Sequence, residues 1–184
     1  MFLTHYKRIL AELDHVLSTV KTEDVEILIA EILKAKTIIV FGAGRVGMAI
    51  RGFGMRLGHL GFHAFTLGDS TVPHIGQGDL LLLASGSGET QTVYDIAVLG
   101  KKNGARLCIV TGRMDSRIGA LADTLVLLKA PSKVDSSESF LSIQPMTTLN
   151  EQCLQIFFDT VVLMIMEKTQ QQPTDLWARH SNLE

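Results

Sequence analysis

A run of hydroxyl groups and glycines, Ser85-Gly-Ser-Gly-Glu-Thr90, is the segment of this sequence best suited to bind a ligand. It follows an apolar run typical of a buried strand and precedes a predicted helix, whose free N-terminal N–H groups would join three side-chain hydroxyls. Such a set of donors suits a small anion. Helix capping by Ser87 or Thr90 would account for only one hydroxyl. We call residues 85–90 the hydroxyl loop and predict that it binds a phosphate monoester; without a Lys after its second glycine it is not a Walker motif.

A second glycine-rich segment, Gly42-Ala-Gly-Arg-Val-Gly47, lies between a predicted strand and a predicted helix. We call it the glycine turn. Its G-x-G-x-x-G spacing, with Asp69 standing 22 residues after Gly47, matches the dinucleotide-binding fingerprint. Two observations weaken that interpretation. Glycines at such a position also serve tight turns and close helix packing, and the chain is too short for a separate domain that would hold a hydride acceptor.

Glu151 and His180 are the candidate acid–base residues. Glu151 lies in the first turn of a predicted apolar helix over residues 147–168, where it could pair with Thr148 in a capping box. Position alone favours that capping role. However, Asp159 is the only charged side chain in the fifteen residues that follow Glu151, so an isolated carboxylate borders apolar surface that can tune its basicity. His180 lies in the C-terminal tail, where a histidine is ordinarily exposed.

The elements that must position these residues alternate between strands and helices. Apolar residues at helical spacing predict two amphipathic helices within residues 6–35. Short apolar runs predict strands over 37–41, 63–67, 79–84, 107–111 and 124–128. Helices are predicted over 48–60, 90–103, 117–122 and 147–168. Continuous apolar strands between helices indicate an α/β fold with a parallel sheet covered on both faces, and ligands of such sheets bind beyond the carboxyl ends of the strands.

Length, charge and cysteine content narrow the class of protein. The 184 residues suffice for one structural unit, with N-terminal helices over 1–36 and the main domain over 37–184. A net charge of −2 provides no basic field for nucleic acid. The longest apolar stretch, 161–166, is far shorter than the roughly 20 residues that span a bilayer. Cys108 and Cys153 lie in apolar runs typical of reduced core cysteines, which is usual for a cytoplasmic protein. Together with the charge and the short apolar stretch, this leads us to expect a cytoplasmic protein without membrane or nucleic-acid partners.

With these residues in hand, the chain resembles the sugar isomerase (SIS) domain family. The segments that carry the resemblance are Phe41-Gly-Ala-Gly-Arg-Val-Gly47, Met55-Arg-Leu-Gly-His-Leu-Gly61, the hydroxyl loop, Ser142-Ile-Gln-Pro-Met146 with Glu151, and Ala178-Arg-His-Ser-Asn-Leu-Glu184. One residue departs from the pattern, because Val46 stands where the family commonly has Ser. The resemblance implies a three-layer αβα sandwich around a doubly wound five-stranded parallel sheet, with N-terminal helices and a C-terminal helix.

The resemblance also implies an activity. It is the reversible ketol isomerisation of D-arabino-hex-3-ulose 6-phosphate to D-fructose 6-phosphate through an enediol, in the formaldehyde-handling ribulose monophosphate pathway. No metal or other cofactor is implied. Two alternatives remain: a related aldose–ketose sugar-phosphate isomerase, and a non-catalytic module that binds a sugar phosphate.

By the same resemblance, Glu151 would be the catalytic base and His180 would move the hydroxyl proton. The substrate would be bound by the glycine turn and the hydroxyl loop, through Gly44, Arg45, Ser85, Gly86, Ser87, Gly88, Glu89 and Thr90. The family further implies a homotetramer with sites shared between subunits, and 3-hexulose-6-phosphate synthase is the expected functional partner.

Overall fold

The structure, a computed structural model, describes residues 1–131 and 141–183; residues 132–140 and Glu184, the last residue of the tail motif, lie outside it. The helices are α1 (Phe2–Leu17), α2 (Thr22–Lys34), α3 (Gly44–His59), α4 (Gln91–Lys102), α5 (Thr148–Thr169) and α6 (Pro173–Trp177). The strands are β1 (Ile38–Gly42), β2 (Ala64–Thr66), β3 (Leu80–Ser85), β4 (Arg106–Thr111) and β5 (Thr124–Leu127).

The five strands form one parallel sheet in the order β2-β1-β3-β4-β5, which confirms the predicted doubly wound α/β fold. The chain moves outward from β1 to β2 and then returns past β1 to β3. The direction of winding therefore changes between β1 and β3. Ligands of open α/β sheets bind at such a switch point, outside the carboxyl ends of the strands. The glycine turn and the hydroxyl loop follow these two strands.

Alternate residues of the central strand enter two separate cores, as the period of two in a strand requires. Leu80 and Leu82 face one core, which is completed by α1, α2, α3 and α5. Leu81 and Leu83 face the other, which is covered by α4 and by residues near a short 3₁₀ turn at Gly119–Leu121. Two helical layers thus enclose the sheet, as the three-layer prediction requires.

Two predicted helices differ from those observed. Helix α3 begins at Gly44, four residues earlier than predicted, because its first turn already forms within the glycine turn, where the Gly47 N–H donates to the Ala43 carbonyl at 3.1 Å. The helix predicted over 117–122 is reduced to the single 3₁₀ turn Gly119–Leu121. Periodicity over six residues is too short to distinguish a helix from one turn.

The N-terminal helices share the core of the rest of the chain. Val16 of α1 and Ile29 of α2 are buried in the same apolar core as Phe158 of α5. Phe158 in turn stacks on Phe53 of α3 with 4.6 Å between ring centroids. Helix α5 is therefore held between the N-terminal helices and α3.

Helix α5 is also long and apolar enough to cross a membrane, judged by length and composition alone. Half of its most apolar stretch is buried against the rest of the fold. Since the core helix of a globular domain passes the same test, this property is weak evidence for a membrane span.

Candidate active site

A pocket of about 270 Å³ lies at the carboxyl ends of β1 and β3. Three segments meet there: the glycine turn, the hydroxyl loop and the start of α5. The lining residues are Ala43, Gly44, Arg45, Val46, Gly86, Ser87, Thr90, Thr147, Asn150 and Glu151. We call this the Glu151 pocket. Because the predicted phosphate donors and the predicted base come from segments more than 60 residues apart, only the fold brings them together.

The glycine turn brings α3 unusually close to β1. Gly44 has a φ of +58°, which favours glycine, and a Cβ on Gly47 would lie only 2.5 Å from the carbonyl oxygen of Gly42. Both glycines therefore have a structural purpose whatever the ligand. Asp69, the acidic residue of the dinucleotide fingerprint, lies 3.2 Å from Arg51.

The hydroxyls of the hydroxyl loop divide into two groups. Ser85 is buried, accepts a hydrogen bond from the Gly88 N–H at 3.1 Å and lies 3.2 Å from the Thr90 hydroxyl. Ser87 is half-buried, accepts from the Glu89 N–H at 3.2 Å and lines the pocket. Thr90 precedes α4 but makes no side-chain cap. Ser85 thus supports the loop, whereas Ser87 and Thr90 face the site.

Glu89 points away from the pocket. Its carboxylate accepts hydrogen bonds from the Arg117 backbone N–H at 3.0 Å and from Arg117 Nε at 2.8 Å. These hydrogen bonds hold the pKa of the Glu89 carboxyl below its ordinary value. Of the residues predicted to bind substrate, Ser85, Gly88 and Glu89 do not line the pocket, and an ion pair from a different loop explains the position of Glu89.

Glu151 faces the pocket, with one carboxylate oxygen hydrogen-bonded and the other in an ion pair. Oε1 accepts a hydrogen bond from the Thr147 hydroxyl at 2.8 Å, and Oε2 lies 3.1 Å from Nε of Arg45. The Glu151 side chain is only 13% exposed, whereas that of Arg45 is 57% exposed. The capping-box alternative is wrong: the residue before α5 is Thr147, which makes no side-chain cap, and the Thr148 hydroxyl donates to the Pro145 carbonyl instead.

Sequence reasoning missed Thr147 and Asn150. Asn150 is 1% exposed and packs so closely on the hydroxyl loop that a Cβ on Gly86 would lie 2.8 Å from its Oδ1. A side chain at position 86 would therefore collide with α5. The signal was present in the spacing, since residues 147, 150 and 151 are three and four apart and share one helix face.

His180 lies in a different pocket. Its ring is 5.2 Å from that of His59 and 5.4 Å from that of Trp177, and the same pocket is lined by Leu163 near the end of α5. Leu163 follows Glu151 by twelve residues, which is about 18 Å along a helix. Within one chain the structure therefore does not bring the two predicted catalytic residues together.

The pocket offers chemistry suited to a phosphorylated polyol. One carboxylate, one guanidinium and the hydroxyls of Ser87 and Thr90 face a space that is bounded on one side by Val46. Within residues 1–131 and 141–183, no three His, Cys, Asp or Glu side chains cluster as metal ligands. A carboxylate near a bound anion can act as a base, and the donors can hold the anion.

Comparison with known proteins identifies the family to which this fold and pocket belong. Residues 31–156 match the family model of the SIS domain. A protein of Bacillus subtilis named 3-hexulose-6-phosphate isomerase is 36% identical over 176 residues, covering 96% of this chain and 95% of the relative. A protein of the same name from Mycobacterium gastri is 40% identical, covering 90% of this chain and 82% of the relative.

A solved structure agrees with these sequence relatives. A protein from Methanococcus jannaschii, for which the crystal structure led to an inferred molecular function of 3-hexulose-6-phosphate isomerase, superposes with a TM-score of 0.84. It is 31% identical and the match covers 98% of this chain and 99% of the other. The resemblance found in the sequence is confirmed over nearly the whole length: this chain belongs to the SIS domain family.

Proposed function

We propose that this protein is a sugar-phosphate ketol isomerase with the activity of a 6-phospho-3-hexuloisomerase, interconverting D-arabino-hex-3-ulose 6-phosphate and D-fructose 6-phosphate. One observation carries the proposal: the Glu151 carboxylate and the hydroxyl loop line a single pocket at the switch point of the sheet. The relatives named 3-hexulose-6-phosphate isomerase support the same substrate pair. Such a role belongs to formaldehyde assimilation or detoxification by the ribulose monophosphate pathway.

The reaction needs one base that serves two adjacent carbons. In the forward direction, Glu151 removes the proton from C2 of the 3-ketose while the C3 carbonyl becomes an enediol oxygen. The protonated carboxyl then returns the proton to C3, and the hydroxyl proton of O2 is transferred to O3 as the C2 carbonyl forms. Carbon, hydrogen and electrons balance within the sugar, so the reaction needs no external oxidant or reductant.

The surrounding residues divide the remaining work. Ser87 and Thr90 hold the phosphate from one side, at the N-terminus of α4, where backbone N–H groups also favour an anion. Arg45, adjacent to Glu151, supplies positive charge where negative charge develops on the enediolate oxygens. Thr147 donates to one oxygen of Glu151 and so fixes the direction of the carboxylate.

His180 enters this scheme only through a neighbouring subunit. Since its ring contacts His59 and Trp177 at the far end of α5, we place it in the site of another chain within a homotetramer. Trp177 of α6 is 72% exposed and Leu163 of α5 is 60% exposed, so both helices carry apolar surface that subunit contacts would bury. There His180 would move the proton between O2 and O3.

The proposed setting is the cytoplasm, with 3-hexulose-6-phosphate synthase supplying the substrate. Both cysteines are buried free thiols, which suits a reducing compartment. The proposed reaction at Glu151 depends on neither the compartment nor the synthase.

The test is an assay of purified protein with hex-3-ulose 6-phosphate, in which fructose 6-phosphate is detected by a coupled enzyme. Conversion at a catalytic rate supports the proposal. Binding of fructose 6-phosphate in titration calorimetry without turnover would assign a non-catalytic sugar-phosphate module instead. Binding of NAD in place of fructose 6-phosphate would instead show that the glycine turn binds a dinucleotide.

A further inference from the structure

Glu12 is a buried carboxylate that the reaction scheme does not use. It lies on α1, is 8% exposed, and receives three hydrogen bonds from one segment of the chain, residues 142–144. Oε1 accepts from the Ile143 N–H at 2.7 Å, and Oε2 accepts from the Ser142 hydroxyl at 2.8 Å and from Gln144 Nε2 at 3.2 Å. A buried charge is tolerated only when its oxygens are satisfied in this way.

The balance of forces keeps this carboxylate ionised. Burial raises the pKa of Glu12. The hydrogen bonds from Ile143, Ser142 and Gln144, with a smaller contribution from the charge of Arg8, together lower the pKa by more than burial raises it. The net result is a pKa below the ordinary value. Glu12 therefore binds residues 142–144 as an anion at neutral pH, with charge-assisted hydrogen bonds.

The segment that Glu12 holds leads directly into α5, the helix that carries Glu151. Met146, with a φ of +56°, adopts a left-handed conformation that a non-glycine residue keeps only when its surroundings impose it. Beyond it, the Thr148 hydroxyl donates to the Pro145 carbonyl at 2.7 Å and lies 3.4 Å from Nη1 of Arg45. Arg45 contacts Glu151. An unbroken chain of contacts thus runs from α1 to the proposed base.

We propose that Glu12 is a positioning residue for Glu151, acting through its three hydrogen bonds to residues 142–144 and the turn at Met146. The expected effect of Glu12 on catalysis rests on the proposed function, whereas its expected effect on the start of α5 does not. The first helix of the chain, which contributes no residue to the Glu151 pocket, would then set the direction from which the base meets the sugar.

The test compares Glu12→Gln with Asp14→Asn. Glutamine keeps the shape of Glu12, but its amide nitrogen cannot accept a hydrogen bond, so at least one of the three is lost. Asp14 lies on the same helix and is exposed, which makes it a matched removal of one negative charge. We expect Glu12→Gln to lower kcat by roughly ten- to a hundredfold through misplacement of the base. KM for fructose 6-phosphate should change by less than about twofold, because Ser87 and Thr90 belong to a different loop.

A second readout separates positioning from simple loss of stability. Amide hydrogen exchange of residues 147–152 should accelerate in folded Glu12→Gln and remain as in the parent in Asp14→Asn. Normal exchange in this segment, or a kcat per folded molecule equal to that of Asp14→Asn, would overturn the proposal even if the melting temperature falls. If the parent protein shows no isomerase activity, the proposed function fails, and the exchange measurement alone still decides whether Glu12 positions the start of α5.

Discussion

The different positions of Ser85 and Ser87 in the hydroxyl loop predict different effects when each is changed to alanine. Ser87 lines the pocket, and its other contact is a half-exposed hydrogen bond from the Glu89 N–H that water can replace. Ser85 is buried and receives the Gly88 N–H. Ser87→Ala should therefore weaken substrate binding, and Ser85→Ala should weaken the fold.

The size of each effect follows from the hydrogen bond that the change removes. A hydrogen bond to a charged group contributes about 1.5–3 kcal/mol, so removal of the Ser87 hydroxyl from the phosphate should raise KM by roughly ten- to a hundredfold. For Ser85→Ala, the Gly88 N–H keeps a bond of 3.2 Å to the Ser85 carbonyl, so the free energy of unfolding should fall by only about 1 kcal/mol. In a chain of this size that lowers the melting temperature by about 2–4 °C.

The assay pairs steady-state kinetics with thermal unfolding for the two variants and the parent. We expect Ser87→Ala to melt within about 1 °C of the parent and to show the raised KM, with the converse for Ser85→Ala. A folded Ser87→Ala protein with parental KM would refute the assignment of the phosphate to this loop. An equal rise in KM for both variants would refute the distinction between them.

Three further predictions concern the packing and ionisation of single residues. Gly47→Ala should lower the free energy of unfolding, measured by urea denaturation, by about 1–3 kcal/mol, because the added Cβ would lie 2.5 Å from the Gly42 carbonyl oxygen. A variant as stable as the parent would contradict the close approach of α3 to β1. The pKa of Glu12 lies below its ordinary value of 4.5 in the folded protein, so its stabilisation is present above that pH and is lost as the pH falls through the lower folded-state value. Urea unfolding should accordingly show the parent and Glu12→Gln converging in stability below pH 4.5, and a constant difference would contradict this. Burial raises the pKa of Cys108 and of Cys153 to about 12, so neither thiol should react with a disulfide reagent near neutral pH until denaturant is added; rapid reaction of the native protein would show that one of them is accessible.

The strands and the place of the site could be predicted because both follow from strong local signals. A buried parallel strand such as Leu80–Ser85 is a continuous apolar run, and the glycine and hydroxyl segments directly follow two of these strands. Parallel topology then brings both segments to one edge of the sheet. The predicted start of α3 was four residues too late because glycine weakens any helix prediction, although Gly44 and Gly47 lie in the first turn of this helix.

The partners of charged and buried polar side chains could not be predicted in the same way. Glu89 looks like a ligand of the site by its place in the hydroxyl loop, but Arg117, 28 residues later, binds its carboxylate. Glu12 looks like one more polar residue of an amphipathic helix, and its donors stand 130 to 132 residues away. Contacts at such separations are set by the tertiary fold and leave no periodic trace in the sequence.

The central claim, that Glu151 carries a proton between adjacent carbons of the sugar, is tested most directly by solvent exchange. Fructose 6-phosphate is incubated in deuterium oxide with the parent and with Glu151→Gln, and deuterium at the carbon-bound positions is followed by NMR. We expect incorporation with the parent, and an exchange rate about 10²–10⁴-fold lower with Glu151→Gln, because an amide cannot accept the carbon-bound proton. Exchange at the parental rate in Glu151→Gln would show that another residue is the base.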